Sequence, residues 1–99
     1  MVRFLLLFSF NEGITEIDIL RIKSAFLIIH EKIPDIISVE WGENNSSENN
    51  NRKFSHCVNI VFSNLLARDC YLSHPEQIAL KKLFQPFVLD TIVFDYYCY

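Results

Sequence analysis

Among the histidines and tyrosines of the sequence, His56 and Tyr71 are the candidates for proton transfer. Imidazole titrates near neutral pH, and a phenol can donate a hydrogen bond to a carbonyl oxygen. A histidine and a tyrosine that face one cavity could therefore polarise a carbonyl group and move a proton. The alternative for His56 is a core histidine bonded to a backbone carbonyl or a tyrosine. The alternative for Tyr71 is a packing residue with one polar end.

Composition narrows the classes of partner. The net charge is −3 and Lys and Arg are scattered, so we expect neither a nucleic acid nor an anionic membrane as a partner. Cys57, Cys70 and Cys98 form no CxxC pair, which argues against a disulfide framework or a zinc site and favours a cytoplasmic setting. Apolar residues make up 51% of 99 residues, a large share for so small a chain. The excess predicts an apolar face for a second copy of the chain, or a ligand cavity.

Four strands and an interrupted second helical region follow from the hydrophobic pattern. The predicted elements are a strand at Val2–Phe10, a helix from Glu16 to about Lys32, a strand at Ile36–Trp41, an exposed loop at Gly42–Lys53, a strand at Phe54–Phe62, a short helix through Tyr71, a helical segment from Pro75 towards Phe84 and a strand at Thr91–Tyr97. The first apolar run is too short to cross a bilayer, which takes about 20 residues, so a buried strand is the better interpretation.

The ends of the helices have local signals. Thr15 is a candidate N-cap with Asp18 at the third helical position, and Pro34 should end that helix. Ser63 or Asn64 can cap the next one. His74 precedes a proline, which favours an extended backbone, so we expect a local hydrogen bond that holds a break between two helical segments.

The order β-α-β-β-α-β predicts one ferredoxin-like α+β domain over residues 1–99, with a four-stranded antiparallel sheet and both helical regions on one face. The opposite face of the sheet would be bare in a single chain. We expect a homodimer formed through that face, at Arg3, Leu5, Leu7, Cys57 and Asn59. Glu40 is expected on the same side or at its rim, solvated or paired.

Four motifs resemble the stress-responsive α/β-barrel (Dabb) family. They are Ile33-Pro34 followed by Trp41-Gly42, the strand opening Phe54-Ser55-His56, the segment Tyr71-Leu72-Ser73-His74-Pro75, and the closing Phe94-Asp95-Tyr96. The resemblance covers essentially the whole chain in order and spacing. It implies homodimers whose two sheets close into an α/β barrel, and a pocket between the helices and the sheet of each chain. One member of the family is a plant polyketide cyclase.

The resemblance also implies a set of site residues. His56 and Tyr71 match positions that line the cyclase pocket, whereas Gln77 stands at a catalytic histidine position and Phe4 at a first-strand histidine position. Glutamine does not titrate, so the cyclase mechanism lacks one partner here. The residues expected to line the pocket are Phe4, Trp41, His56, Tyr71, Gln77 and Phe84. A structural Mg²⁺ ion is a further expectation, bound by the backbone carbonyls of His30, Ile33 and Ile36.

Three functions are compatible with these residues. The first is a homodimer that binds a small apolar or carbonyl-containing ligand without catalysis. No cofactor is expected for it. The second is a cyclase, or another lyase or isomerase, that uses Tyr71 and His56. The third is a heme- or quinone-handling monooxygenase of the wider group of dimeric barrels, with His56 as the one strand residue able to ligate or activate.

Overall fold

The computed structural model describes residues 1–47 and 53–99. Its strands are β1 (Val2–Phe10), β2 (Ile36–Glu43), β3 (His56–Phe62) and β4 (Val88–Tyr97), and its helices are α1 (Glu16–Leu27), α2 (Leu65–Ser73) and α3 (Pro75–Phe84). The strands form one antiparallel sheet in the order β2-β3-β1-β4. This is the predicted ferredoxin-like arrangement. No helix among the described residues is long and apolar enough to cross a membrane.

Strand β1 lies in the interior of the sheet and separates its two faces. Val2, Phe4, Leu6 and Phe8 are buried against the helices, whereas the residues between them are partly exposed, apart from Ser9. The residues of β1 do not alternate between apolar and polar types. Their burial alternates because the helices cover only one face of the sheet. The opposite face is called the open face below.

On the open face, the register brings together residues of three neighbouring strands, β3, β1 and β4. Leu5 lies between Asn59 of β3 and Phe94 of β4, and Leu7 lies between Cys57 and Ile92. Phe94 and Ile92 are 59% and 44% exposed. The residues predicted from the sequence for this face are therefore together on it, and β4 adds two large apolar side chains.

Helix α1 begins with a capping box. The Thr15 hydroxyl accepts from the Asp18 N–H at 3.1 Å, and the Asp18 carboxylate accepts from the Thr15 N–H at 3.3 Å. The predicted end near Lys32 is wrong, since the α-helix ends at Leu27 and a 3-10 turn at Ile29–Glu31 follows. The residue before a proline avoids helical backbone, and Asp35 then adopts a positive φ of 66°, so the chain tightens before it turns into β2.

The break before α3 is held by His74, as expected. Its Nδ1 atom accepts a hydrogen bond from the Glu76 N–H at 3.0 Å, and Pro75 occupies the first helical position, where no N–H is needed. Asn64, one of the two candidate caps, accepts from the Ala67 N–H at 2.9 Å and begins α2.

Three strand boundaries differ from the sequence prediction. β2 continues through Gly42 to Glu43, β3 begins at His56 rather than Phe54, and β4 begins at Val88 rather than Thr91. Gly42 begins the polar, Asn- and Ser-rich stretch whose composition predicts a loop. It pairs with Cys57, and a Cβ at position 42 would lie 2.9 Å from the Cys57 Sγ atom, so a larger residue would clash. Residues 48–52 of the predicted loop lie outside the described residues.

Phe8 is the centre of the core. Its ring is fully buried and lies 5.8 Å from the ring of Phe26, 6.1 Å from that of Trp41 and 5.5 Å from that of Phe84, measured between centroids. Phe26 and Phe84 are in turn 5.3 Å apart. These four residues, from β1, α1, β2 and α3, are called the aromatic cluster below. Such ring pairs add about 0.5–1.5 kcal/mol each beyond the area they bury.

Replacing the central ring should therefore destabilise the chain strongly. For Phe8→Ala we expect the free energy of unfolding to fall by about 3–5 kcal/mol, because the cavity left in the cluster cannot close fully. Urea denaturation followed by circular dichroism measures this. Tyr99→Ala, at a fully exposed terminal ring, is the control and should change stability little. A loss below about 1 kcal/mol for Phe8→Ala would contradict the central role of this ring.

Candidate functional site

Two cavities border the residues expected to form the site. The first has a volume of about 450 Å³, lies between α2, α3, β1 and β4, and is called the Tyr71 cavity. It is lined by Phe4, Leu6, Tyr71, Leu72, Gln77, Lys81, Phe84, Gln85, Val88, Leu89, Asp90, Thr91 and Val93. The second has a volume of about 530 Å³, lies between α1, β2 and β3, and is called the His56 cavity.

Tyr71 has its position set by the end of α2. Its ring is 2% exposed and packs against Phe4 at 5.9 Å and Phe62 at 5.3 Å between centroids. Burial raises the pKa of the Tyr71 phenol well above its usual range, because water no longer stabilises the phenolate. The hydroxyl is therefore protonated at neutral pH, and it can donate a hydrogen bond to a ligand in the cavity.

Helix α3 and strand β4 supply further polar groups to the wall of the Tyr71 cavity. Gln77 and Lys81 are four residues apart and so lie on one side of the helix, next to each other at the cavity. Across the cavity, the Asp90 carboxylate forms an ion pair with Lys53 and accepts a hydrogen bond from the Thr91 N–H at 2.9 Å. The hydrogen bond to Lys53 is the largest of the effects that hold the pKa of Asp90 below its usual value.

His56 lies in the other cavity, at the start of β3. Its Nδ1 atom is 2.7 Å from the Ser55 hydroxyl oxygen, and its ring is 5.5 Å from Trp41 and 5.1 Å from Phe10. Partial burial lowers the pKa of His56, and the charge of Glu43, its partner in the β2–β3 ladder, opposes that shift. Besides His56, the His56 cavity is lined by Glu16, Ile19, Leu20, Lys23, Trp41, Glu43, Asn44 and Ser55.

The aromatic cluster keeps the two cavities apart. The Phe8 ring contacts Phe84, which lines the Tyr71 cavity, and Trp41, which lines the His56 cavity. The six residues expected in one pocket are therefore divided. Phe4, Tyr71, Gln77 and Phe84 lie together, and Trp41 and His56 lie together elsewhere. The structure does not bring Tyr71 and His56 to a common cavity.

Sequence reasoning missed two charged residues of the Tyr71 cavity. Lys81 could have been found from its four-residue spacing to Gln77 on a helix. Asp90 could not, because it lies one residue before Thr91, where the sequence pattern predicts that β4 begins, although the strand in fact begins at Val88. Neither Lys81 nor Asp90 belongs to any of the four motifs, so the motifs do not point to them.

The predicted Mg²⁺ ligands lie at the turn between α1 and β2. In this turn the Ile28 carbonyl accepts from the Glu31 N–H, the Ile29 carbonyl accepts from the Lys32 and Ile33 N–H groups, and the Asp35 carbonyl accepts from the Ser63 N–H. Ile36 is already a strand residue paired with Phe62. Among residues 1–47 and 53–99, no group of three or more His, Cys, Asp or Glu side chains could hold a metal. The carbonyl site stays a prediction.

Comparison with known proteins bears on the fold and the family. The model of the stress responsive A/B barrel domain family matches residues 2–98. Olivetolic acid cyclase from Cannabis sativa is 23% identical over 95 residues, which cover 96% of this chain and 94% of the cyclase.

Two solved structures extend this likeness. The hydroxynitrile lyase from Passiflora edulis has a TM-score of 0.89 at 18% identity, over 96% of this chain and 90% of the lyase. A dimeric ferredoxin-like protein from Thermobifida fusca has a TM-score of 0.83 at 18% identity, over 98% and 90%. At these identities the structures establish a shared fold and nothing about chemistry.

The pKa of His56 gives a testable pH dependence. The unfolded chain binds a proton at His56 near pH 6.5, whereas the folded chain binds it only at lower pH. Unfolding therefore takes up a proton in the window below about pH 6.5, and the free energy of unfolding should fall as the pH drops through that window. Above it both states are neutral, and His56 makes no difference.

His56→Gln should flatten that part of the pH profile, measured by urea denaturation between about pH 8 and pH 5. His30→Gln, on the exposed turn after α1, is the matched control and should keep the wild-type slope. An unchanged slope in His56→Gln would show that His56 titrates alike in the folded and unfolded chain.

Proposed function

The chain belongs to the stress responsive A/B barrel domain family, and from this premise we propose that it acts as a homodimer that binds a small apolar or carbonyl-containing ligand in the Tyr71 cavity. The observation that carries the ligand proposal is the position of the buried Tyr71 side chain, a hydrogen-bond donor, on the wall of a cavity that also has seven apolar lining residues. A carbonyl oxygen is the complement of such a donor.

The size of the cavity supports a small ligand. A volume of about 450 Å³ lies in the range of small-molecule sites, about 300–1,000 Å³. Seven of its lining residues are apolar or aromatic without a polar group, namely Phe4, Leu6, Leu72, Phe84, Val88, Leu89 and Val93. A ligand with an apolar body and one polar end would bury its apolar body against these residues. Its polar end would face Tyr71 and Gln77.

Pairing of two chains is supported by the open face. It exposes Phe94 and Ile92, and it also holds two buried polar atoms without a hydrogen-bond partner among the described residues, Arg3 Nε and Asn59 Oδ1. An unsatisfied buried group costs about 1–3 kcal/mol. Both atoms are already inaccessible within the single chain, so the support for pairing comes from Phe94 and Ile92, whose apolar surface a second copy would remove from water. Symmetric contact between identical faces is the commonest arrangement of homodimers.

Binding is favoured over turnover by the separation of Tyr71 and His56. A cyclase or lyase mechanism that moves a proton between these two residues requires both at one substrate. In the Tyr71 cavity the nearest candidate from the family pattern is Gln77, which does not titrate. A heme- or quinone-handling reaction would have to use the His56 cavity instead, and a titration with hemin that shifts the Soret band would support it.

A cytoplasmic location is part of the proposal. Cys57, Cys70 and Cys98 are all free thiols, and free thiols persist in a reducing compartment. Cys57 lies on the open face, where an oxidised thiol would interfere with pairing.

The dimer can be tested at its most exposed contact. Phe94→Glu places a charge on the open face, where two copies would bring like charges together, and should give a chain mass of 11.7 kDa by light scattering where wild type gives twice that. Leu66→Glu, 72% exposed on α2, is the control and should stay dimeric. A monomeric wild type at micromolar concentration would refute the dimer.

The ligand proposal predicts where a probe binds. Titration with 2-octanone, an apolar ketone, should shift the amide resonances of residues that line the Tyr71 cavity and leave those of the His56 cavity unchanged. Tyr71→Phe removes one hydrogen bond and should weaken binding by roughly 2- to 12-fold. Tyr99→Phe, at an exposed tyrosine, should bind as wild type. Shifts confined to other parts of the chain would overturn the assignment of the cavity.

A further inference from the structure

We propose that the Tyr71 cavity selects ligands that carry a carboxylate at the end of an apolar chain, with Lys81 as the partner of the negative charge. This inference rests on the proposed ligand-binding function and adds the chemical class of the ligand. It assigns a role to a residue outside the four motifs of the sequence, because Lys81 stands four residues beyond Gln77 on α3.

Of the two charged residues that line the Tyr71 cavity, one already has a counter-ion and the other has none among the described residues. Lys81 is the one cationic residue among those that line it, and Asp90 is the one anionic residue. Asp90 already has a counter-ion in Lys53 and a hydrogen bond from the Thr91 N–H. Lys81 has no carboxylate within ion-pair distance among residues 1–47 and 53–99. The charge left without compensation at this cavity is therefore positive.

Helix geometry places that charge beside the other donors. Gln77, Lys81 and Phe84 follow one another at four- and three-residue steps, so they share one side of α3. Tyr71 lines the same cavity from the end of α2. A carboxylate could accept from the Lys81 ammonium and from the Tyr71 hydroxyl at once, and bonds to an ionised acceptor are about twice as strong as neutral ones.

The depth of the cavity suits the apolar part of such a ligand. Phe4 and Leu6 are 7% and 6% exposed and belong to the core, whereas Lys81 is exposed. An acyl chain can therefore lie against the buried residues while its carboxylate stays near the lysine and the solvent. A single lysine matches a singly charged carboxylate, whereas a phosphate dianion would bring more negative charge than one lysine compensates.

The test compares three probes of the same length on the full chain: octanoate, octanamide and 2-octanone. We expect octanoate to bind wild type about tenfold more tightly than octanamide at low ionic strength, and added salt to reduce that ratio. Lys81→Gln should bring the ratio of the octanamide to the octanoate dissociation constant to about one. Lys82→Gln is the matched control, because it removes the neighbouring charge, which does not line the cavity, and it should keep the preference.

The outcomes separate this inference from the function on which it rests. If wild type binds 2-octanone and octanamide as tightly as octanoate, or if Lys81→Gln keeps the preference, the carboxylate assignment is overturned and the ligand-binding function stands. If none of the three probes binds, both are overturned. If octyl phosphate binds more tightly than octanoate, the cavity recognises a different anion and the assignment is again overturned.

Discussion

The position of the Phe8 ring decides where this chain has room for a ligand. The Phe8 ring is fully buried and packs against Phe26, Trp41 and Phe84, and the two cavities on either side of it share no lining residue. Because these four residues come from four different elements, the cluster also fixes α1 and α3 against the sheet. The space that remains lies on either side of it, and each side has its own polar groups.

The sheet presents a second constraint, which is that only one of its faces is covered. The helices bury Val2, Phe4, Leu6 and Phe8, and the other face keeps Phe94 and Ile92 in water. A chain of this size has too little volume to hide its apolar side chains alone. Ferredoxin-like relatives that are dimeric, such as the Thermobifida fusca protein, share the fold in which this problem arises.

The family and the fold do not determine which chemistry this chain performs. The side chains of the Tyr71 cavity restrict the possible functions further. The same architecture occurs in a polyketide cyclase and in a hydroxynitrile lyase, so function has to be argued from the side chains of the site. Here Phe4 and Gln77 stand where the family resemblance implies histidines, and the surviving histidine on β3 lies in another cavity. The side chains around Tyr71 include Gln77, which can donate a hydrogen bond, and Lys81, which is charged. Groups of this kind can recognise a polar ligand.

Local features were readable from the sequence, and contacts between distant elements were not. The extent of β1, the capping box at Thr15 and the break at His74 depend on neighbours within a few residues, and the sequence predicted all three. The end of α1 was missed because a helical pattern continues past Leu27, while the turn into β2 tightens the backbone. The division of Tyr71 from His56 was missed for a different reason. It depends on how the Phe8 ring packs against three elements far away in the chain, and side-chain packing of that kind exists only once the elements have assembled.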